Sequence, residues 1–456
     1  MLYTFRHYRN RSQSFVSFFY RYFSYRDLSD NLHPNLLPNL FNVISFDREI
    51  TRCRRSRAGG YGKIFEGHTV FLTGGTGCLG GCLLYKLALQ LPTRKIFVLV
   101  RGNSQRAIGK LKESMPNHAQ AILTTKKVEF VIGDMKTVNF SIEPNILGQL
   151  QDQVTLVIHT AAKIKLEGPI RDALESNCLP ALEMARIASG FRRLKLLVQI
   201  STSYVNSHLP DGPVLERIYQ LGAEEDPEEE LASMLTLDTS PHAGKFSSTY
   251  TQAKHLMERL LLSRFPLLPI LLLRPTIFGP AFRHPYSLYG SEDSTPLTKF
   301  TRLWFSDRGA TQVWHATEGY QTGTNILDEI PVDLVANACL LHAAARTTGI
   351  VQIGSQLYHP ITFDEVFRLG HENATPKVQR EFPKIIFTED RSTPQCFLAE
   401  LIQVGTRNWL FDCGWSYWLK QVSGPLSMQV CKHEADAFNL IRTHNGLGTG
   451  REKARM

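Results

Sequence analysis

The segment at residues 69–80, TVFLTGGTGCLG, constrains the fold of this chain more than any other part of its sequence. Its apolar, β-branched beginning predicts a buried strand at Thr69–Thr73, and an amphipathic pattern predicts a helix directly after the glycines. Gly74, Gly77 and Gly80 have the spacing TGxxGxxG, which between a strand and a helix indicates a dinucleotide-binding turn rather than an ordinary glycine turn. The first glycine permits the tight bend, the second lets backbone approach a pyrophosphate, and the third lets helix pack on strand. The phosphates are then expected at the helix N-terminus.

Further apolar runs repeat this strand–helix pattern along the chain. They predict strands at 96–100, 128–132, 154–159 and 196–201, with helical patterns between them. Such alternation predicts an α/β fold, a Rossmann-like doubly wound parallel sheet. We expect it to be followed by a small, mostly helical C-terminal substrate region.

The residues at the ends of these strands predict the cofactor. Arg101 follows the second strand, where an acid would bind the ribose 2′-hydroxyl of NAD, and an arginine there suits the 2′-phosphate of NADPH. Asp134 follows the third strand, where an adenine edge could be met, and the small Ala161 and Ala162 follow the fourth. The predicted cofactor contacts are Gly74, Thr76, Gly77, Cys78, Leu79, Gly80, Arg101, Asp134, Met135, Ala161, Ala162, Lys163, Tyr250 and Lys254.

Three residues form the predicted catalytic set. Tyr250 and Lys254 are four residues apart in a predicted helix, so they share one of its faces. We expect the lysine ammonium to lower the pKa of the tyrosine towards the working range and to hold the nicotinamide ribose. Thr202, at the end of the fifth strand, is predicted to hydrogen-bond a substrate carbonyl oxygen.

This order of motifs resembles the extended short-chain dehydrogenase/reductase superfamily, and within it the fatty acyl-CoA reductase (male sterility) family and the related thioester reductase domains. The resemblance spans about residues 60–365. It is carried by GHTVFLTGGTGCLG (67–80), VLVRG (98–102), VIHTAAKIKL (157–166), ISTSYVN (200–206), LERIY (215–219), STYTQAKHLMERLL (248–261), LLRPTIFGP (272–280) and IPVD (330–333).

The resemblance implies NADPH-dependent reduction of an acyl thioester, such as a fatty acyl-CoA, to an aldehyde and/or a primary alcohol. In it Thr202, Tyr250 and Lys254 match the catalytic positions of the family. Two alternatives remain open: another extended short-chain dehydrogenase of sugar-nucleotide or hydroxysteroid type, and a non-catalytic NADP-binding regulator. Such regulators tend to lose the Tyr/Lys pair, which is present here.

The sequence departs from the family pattern in three places. Cys78 replaces an aromatic residue that is usual in the glycine turn, and Ser248 replaces a common asparagine two residues before Tyr250. Residues after about 370 do not clearly match the family's C-terminal domain. There Trp409, Trp415 and Trp418 could line an acyl tunnel, and we expect ordinary core packing instead.

The net charge of +9 does not predict a polyanionic partner. Residues 1–60 contain ten arginines and four acids and so carry +6 of it, which leaves a nearly balanced body and no case for nucleic acid binding. Eight scattered cysteines form neither a metal-ligand cluster nor a disulfide framework. No apolar stretch reaches about 18 residues, so no transmembrane segment is predicted.

We therefore divide the chain into a basic, aromatic leader (1–60), an NADP-binding reductase domain (61–365) and an unassigned C-terminal segment (366–456). The arginine-rich leader is compatible with a mitochondrial transit peptide, and the terminal Ala454-Arg455-Met456 with a peroxisomal address. Without either signal we expect a cytoplasmic protein. The acidic run at 224–230 is predicted to be a solvated loop, part of a flap over the substrate entrance.

Overall fold

A computed structural model describes residues 64–440, apart from 223–225, 241, 291–299, 301–302, 305–308, 317–318, 373, 375, 397 and 400–406. The leader and the terminal tripeptide, on which the targeting predictions depend, lie outside the described residues. Among the residues that are described, no helix combines the length and the hydropathy that a membrane crossing needs.

Seven parallel strands form the central sheet, in the order β12-β7-β5-β4-β1-β2-β3. The order reverses between β1 and β4, which pair directly with Thr73 opposite His159. This arrangement confirms the predicted doubly wound α/β fold, and it creates a crevice at the carboxyl ends of β1 and β4 where such sheets bind ligands. The strands are β1 (Thr69–Thr73), β2 (Lys95–Val100), β3 (Val128–Ile132), β4 (Leu156–His159), β5 (Leu196–Ile200), β7 (Ile270–Pro275) and β12 (Gly349–Ile353).

Helices cover both faces of the sheet because the strand side chains are apolar on both sides. The helices are α1 (Cys78–Tyr85, continued by a π-helical turn at Lys86–Gln90), α2 (Ser104–Ser114), α3 (Ala119–Thr124), α4 (Pro144–Gln153), α5 (Ile170–Ala173, continued by a π-helical turn at Leu174–Cys178), α6 (Leu179–Ser189), α7 (Pro227–Leu237), α8 (Thr249–Arg264) and α9 (Val332–Ala345). In β1, Val70 and Leu72 face one apolar cluster, to which α1, α2, α3 and α9 contribute. Phe71 faces the other cluster, to which α4, α6, α7 and α8 contribute.

Smaller elements lie outside the main sheet. They are β6 (Gly212–Val214), β8 (Ile277–Gly279), β9 (Thr311–His315), β10 (Ile326–Leu327), β11 (Glu329–Pro331), β13 (Ile361–Thr362), α10 (Phe363–Glu372), α11 (Pro376–Gln379), β14 (Lys384–Thr388) and β15 (Trp409–Phe411), together with 3₁₀ helices at Ser203–Asn206, Ser355–Leu357 and Gly414–Gln421. The C-terminal segment thus contains helices, as predicted, and in addition the strands β14 and β15, which pair with β9 and β6.

The tryptophans of the C-terminal segment pack mainly against the body. Trp409 is buried beside Phe411 and Val214, and Trp418 packs against the main core with its ring 5.7 Å from that of His342. Core packing is therefore confirmed for these two. It is wrong for Trp415, which is 37% exposed.

The acidic run does not form the predicted loop where the structure describes it. Asp226 caps α7 by accepting a hydrogen bond from the Glu228 backbone amide (2.8 Å), and the following acids occupy the first helical turn. Acids favour that position because the N-terminal end of a helix dipole is positive. Glu230 is buried and forms an ion pair with Arg259 of α8, and this pair joins α7 to α8.

Candidate active site

The first and third glycines of the motif leave no room for a Cβ atom. Gly74 has φ +69°, and a Cβ atom there would lie 2.5 Å from Oγ1 of Thr160. A Cβ atom on Gly80 would lie 2.1 Å from the carbonyl oxygen of Gly74, so the third glycine permits the close packing predicted for it. The helix that starts at Cys78 has no side-chain cap and no acid in its first turn. Its N-terminus therefore suits an anion such as a phosphate.

A hydrogen-bond network joins β1 and β4 at the crevice. Oγ1 of Thr73 lies 2.9 Å from Nδ1 of His159 and accepts a hydrogen bond from the Ala161 amide (3.2 Å). Thr160 donates its hydroxyl proton to the Thr73 carbonyl oxygen (2.8 Å). Burial lowers the pKa of His159 to about 3, so this imidazole is neutral and acts only as a hydrogen-bond partner. The network fixes the backbone where the sequence predicts cofactor contacts at Ala161 and Ala162.

Asn177 fixes the next part of the same loop, a role that the sequence analysis missed. Its Oδ1 accepts from the Lys163 amide (3.0 Å), and its Nδ2 donates to the carbonyl oxygens of Lys163 (3.2 Å) and Ala173 (3.1 Å). The side chains of Lys163 and Ala162 are exposed, but the backbone between them is held in place. The sequence feature that could have indicated this role is an asparagine placed within an apolar helical stretch.

The other predicted cofactor residues follow β2 and β3 at the same edge of the sheet. Arg101 is exposed directly after β2. Asp134 follows β3, and its carboxylate accepts from the Lys136 amide (3.0 Å) while its own amide donates to the Phe140 carbonyl (2.7 Å). Met135 is partly buried beside the second core. All these positions lie at the carboxyl edge because the strands are parallel.

Lys254 joins the predicted catalytic helix to the end of β5. Its Nζ donates to the carbonyl oxygen of Ile200 (3.0 Å), two residues before Thr202. Ser207, beyond Thr202, donates to Oγ1 of Thr251 (3.4 Å) and accepts from the Ser247 amide (3.0 Å). The strand end that carries Thr202 is therefore tied to both the first and the second turn of α8.

Tyr250 lies one turn before Lys254 on the same face of α8, and Tyr250 and Thr202 are each 8% exposed. The helix begins with a capping box in which Ser248 and Thr251 exchange hydrogen bonds, so the unusual serine at 248 performs a structural role. The helix that carries Tyr250 and Lys254 is thus held at the carboxyl end of β5, the strand that leads to Thr202.

The pKa values of Tyr250 and Lys254 are shifted by burial, and one of the shifts differs from the prediction. Burial raises the pKa of Tyr250, so the expectation of a pKa lowered towards the working range is wrong in this structure. The reason is that the Lys254 ammonium is directed at the Ile200 carbonyl and is itself fully buried. Burial lowers the pKa of Lys254 to about 8, while nearby Glu258 and Cys178 act in the opposite direction. At neutral pH the tyrosine is therefore a proton donor beside a lysine that is mostly charged.

Comparison with known proteins assigns this fold and site to a family. The model of the male sterility protein family, an NAD-binding domain family, matches residues 72–339. The chain therefore belongs to the male sterility (fatty acyl-CoA reductase) family of the extended short-chain dehydrogenase/reductase superfamily.

Relatives and solved structures agree with this assignment. The chain is 24% identical to fatty acyl-CoA reductase 1 of Xenopus laevis over 66% of this chain and 58% of that protein. It is 25% identical to fatty acyl-CoA reductase 2 of Homo sapiens over 71% of this chain and 63% of that protein. The match thus spans less than two-thirds of either relative. The terminal R domain of the myxalamid biosynthetic pathway has a similar fold, with a TM-score of 0.59, 20% identity and coverage of 84% of this chain and 91% of that one.

Proposed function

We propose that this protein reduces the thioester of a fatty acyl-CoA, or a related acyl thioester, to an aldehyde and/or a primary alcohol with NADPH. The observation that carries the proposal is the hydrogen bond from Lys254 to the end of β5, which holds the helix that carries Tyr250 against the strand that leads to Thr202. The chain's family includes proteins named fatty acyl-CoA reductases. In this proposal residues 61–365 form the reductase domain, and the described part of the C-terminal segment packs beside it.

The residues at the crevice fit a dinucleotide phosphate. The turn has no room for a Cβ atom at Gly74 or Gly80, and the α1 N-terminus offers its amides with no acid in its first turn. Arg101 would bind the 2′-phosphate of NADPH, Asp134 and Met135 would contact the adenine side, and the 161–163 loop would contact the inner part of the dinucleotide. NADPH, when bound, supplies the hydride.

Tyr250 and Thr202 act on the carbonyl oxygen of the thioester. Their hydroxyls donate hydrogen bonds to this oxygen and stabilise the negative charge that develops as the carbonyl carbon is reduced. Tyr250 has a raised pKa and so keeps its proton until the oxygen becomes basic enough to take it. As the C–S bond of this hemithioacetal breaks, its hydroxyl returns its proton to the Tyr250 phenolate, and the products are the aldehyde and the thiolate of coenzyme A. A second reduction at the same residues would give the alcohol.

Lys254 keeps a positive charge close to this proton donor. The charge lowers the energy of the phenolate that Tyr250 becomes after it has given up its proton. Because the pKa of Lys254 is about 8, this help is expected at neutral pH and is lost at higher pH.

The direct test supplies the full chain with palmitoyl-CoA and NADPH and follows NADPH oxidation and free thiol release together. NADPH oxidation that is accompanied by thiol release supports the proposal. One NADPH consumed per thiol released indicates an aldehyde product, and two indicate an alcohol. Oxidation of NADPH by simple aldehydes or ketones without activity on thioesters would identify another dehydrogenase of the superfamily. Binding of NADPH without turnover of any carbonyl compound would identify a regulator.

A further inference from the structure

A fully buried ion pair lies one turn beyond Lys254, and the proposed chemistry does not use it. Glu258 of α8 and Arg274 of β7 are both 0% exposed. Nε of Arg274 donates to both carboxylate oxygens of Glu258, at 2.9 and 3.1 Å, and Nη2 donates to Oε2. A buried pair of this kind is not by itself evidence of stability, because well-packed apolar residues often replace such pairs without loss. Stability alone therefore does not account for this pair.

Arg274 connects the catalytic helix to two further segments. Its Nη1 donates to the carbonyl oxygen of Arg217 (2.9 Å), and its own carbonyl oxygen accepts from the Ser203 hydroxyl (2.9 Å). Ser203 is fully buried and directly follows Thr202. The pair thus fixes the backbone that carries Thr202 relative to the helix that carries Tyr250 and Lys254.

Glu258 also supplies negative charge near Lys254. Lys254 is packed between α8, the end of β5, β4 and the π-helical turn before α6, and the titratable groups that act on it or respond to it are His159, Cys178 and Glu258. Burial keeps His159 neutral with a pKa of about 3 and raises the pKa of the Cys178 thiol to about 12. Of these three groups, only the carboxylate of Glu258 is left to oppose the effect of burial on the lysine at neutral pH.

We propose that Glu258 is a positioning residue of the reductase site, which keeps Lys254 charged and, through Arg274, holds Thr202 against the catalytic helix. The proposal rests on the proposed function, because it assigns Glu258 a role in that reaction. Glu258 acts through Lys254 and Arg274 and does not touch the substrate.

The pH dependence of kcat separates this role from a merely structural one. Lys254 must be protonated, so wild-type kcat is expected to fall as pH rises through about 8. In Glu258→Gln the pKa of Lys254 decreases further, and the fall in kcat moves to lower pH by about one unit. At pH 8.5 the loss of charge alone then makes kcat about eightfold lower than in the wild type, whereas near pH 6 it has little effect.

The matched control is Glu230→Gln. Glu230 forms the other buried ion pair of α8, with Arg259 (each side chain 6% exposed), but that pair faces α7 rather than β7. Its loss is expected to lower the unfolding midpoint and to leave the position of the alkaline fall unchanged. A wild-type pH profile in Glu258→Gln, or an equal shift in Glu230→Gln, would overturn the proposal.

A measurement without turnover keeps the proposal testable if the substrate is not an acyl thioester. The pH titration of the Lys254 side-chain signal in the NMR spectrum, assigned with Lys254→Met, gives the titration midpoint of Lys254 itself. The midpoint is expected to be lower in Glu258→Gln, and also in the Glu258→Gln/Arg274→Met double variant if the single variant does not fold. An unchanged midpoint would refute the role of Glu258 whatever the substrate, whereas an inactive wild type with a shifted midpoint would refute only the proposed function.

Discussion

At the scale of single residues, the proposed mechanism depends on Tyr250, which stays protonated because burial raises its pKa. The sequence predicted which tyrosine and lysine would share a helix face, because that follows from their spacing. It could not predict that Lys254 would point at the Ile200 carbonyl, because this contact joins residues 54 positions apart in different elements. The direction of the Tyr250 pKa shift depends on that contact and on burial, and so it was predicted wrongly.

Tyr250→Phe is expected to lower kcat about 100- to 10,000-fold, because it removes the proton donor. Its affinity for NADPH should change little, since the phenyl ring retains the packing. Tyr358→Phe is the control, because Tyr358 is also 8% exposed but belongs to the apolar cluster on the face of the sheet opposite α8. Steady-state kinetics and a fluorescence titration with NADPH measure the two quantities. Retained turnover in Tyr250→Phe would remove Tyr250 from the mechanism.

Lys86 is a second buried lysine, and it lies outside the site. It is 0% exposed, its Nζ has no hydrogen-bond partner among the residues that the structure describes, and burial lowers its pKa. Lys86→Met keeps the volume and removes the desolvated amine, so we expect the free energy of unfolding at pH 7 to increase by about 1–3 kcal/mol.

The gain in Lys86→Met should depend on pH in a known direction. The pKa is lower in the folded than in the unfolded protein, so the unfolded state binds more protons and wild-type stability rises with pH. The gain therefore shrinks as pH rises towards 10.5, the ordinary pKa of lysine. Urea unfolding at pH 7 and pH 10 measures it, with the exposed Lys112→Met as the control. A loss of stability at pH 7 would show that Lys86 has a partner in solution.

At the scale of elements, the sequence predicted the strands of the nucleotide-binding half well. Both β1 and β3 have the predicted bounds, because continuous apolar runs between turn residues leave few alternatives. The structure of the acidic run was harder to predict, because the burial of Glu230 depends on its ion pair with Arg259, which lies on another helix. Charge composition alone favours a solvated loop, and only the tertiary ion pair makes the run part of a packed helix.

The π-helical turn at Leu174–Cys178 gives the loop after β4 its shape through Asn177. Asn177→Leu keeps the size of the side chain and removes its hydrogen bonds to Lys163 and Ala173. We expect about three- to tenfold weaker NADPH binding, because the loop must then be ordered when the cofactor binds. The dissociation constant from calorimetry measures this, and Ser189→Ala, which removes a hydrogen bond within α6, is the control. Equal affinities in Asn177→Leu and the wild type would separate this loop from the cofactor site.

At the scale of the whole molecule, the C-terminal segment is part of the folded body. Its strand β15 pairs with β6, directly downstream of the Thr202 segment, and the rings of Trp409 and Phe411 lie 6.1 and 5.4 Å from that of Tyr204. The sequence left this segment unassigned because its local pattern does not specify a partner. The pairing of β15 with β6 joins residues almost 200 positions apart, and such contacts have no signature in a single sequence.

Glu216 forms hydrogen bonds with both the C-terminal segment and the main sheet. One oxygen of its carboxyl group accepts a hydrogen bond from the backbone N–H of Gln352 in β12 (2.6 Å), and the other accepts from the backbone N–H of Trp415 (3.0 Å). Burial raises the pKa of Glu216 to about 8 despite these two hydrogen bonds. Because this pKa is above the ordinary value of 4.5, the contact contributes most below pH 4.5, and its contribution is lost as pH rises through about 8.

Glu216→Ala leaves both amides without their acceptor, so we expect the free energy of unfolding to decrease by about 2–4 kcal/mol. Hydrogen exchange should accelerate at Gln352 and Trp415 and across Gly414–Gln421, while β1 and β4 keep their protection. Glu372→Ala is the control, because Glu372 belongs to the same C-terminal segment but forms an exposed pair with Arg368, whose loss should cost less than about 1 kcal/mol. Faster exchange throughout the sheet would instead mean that the C-terminal segment and the nucleotide-binding half unfold as one unit, and unchanged exchange at Trp415 would show that Glu216 does not hold the segment.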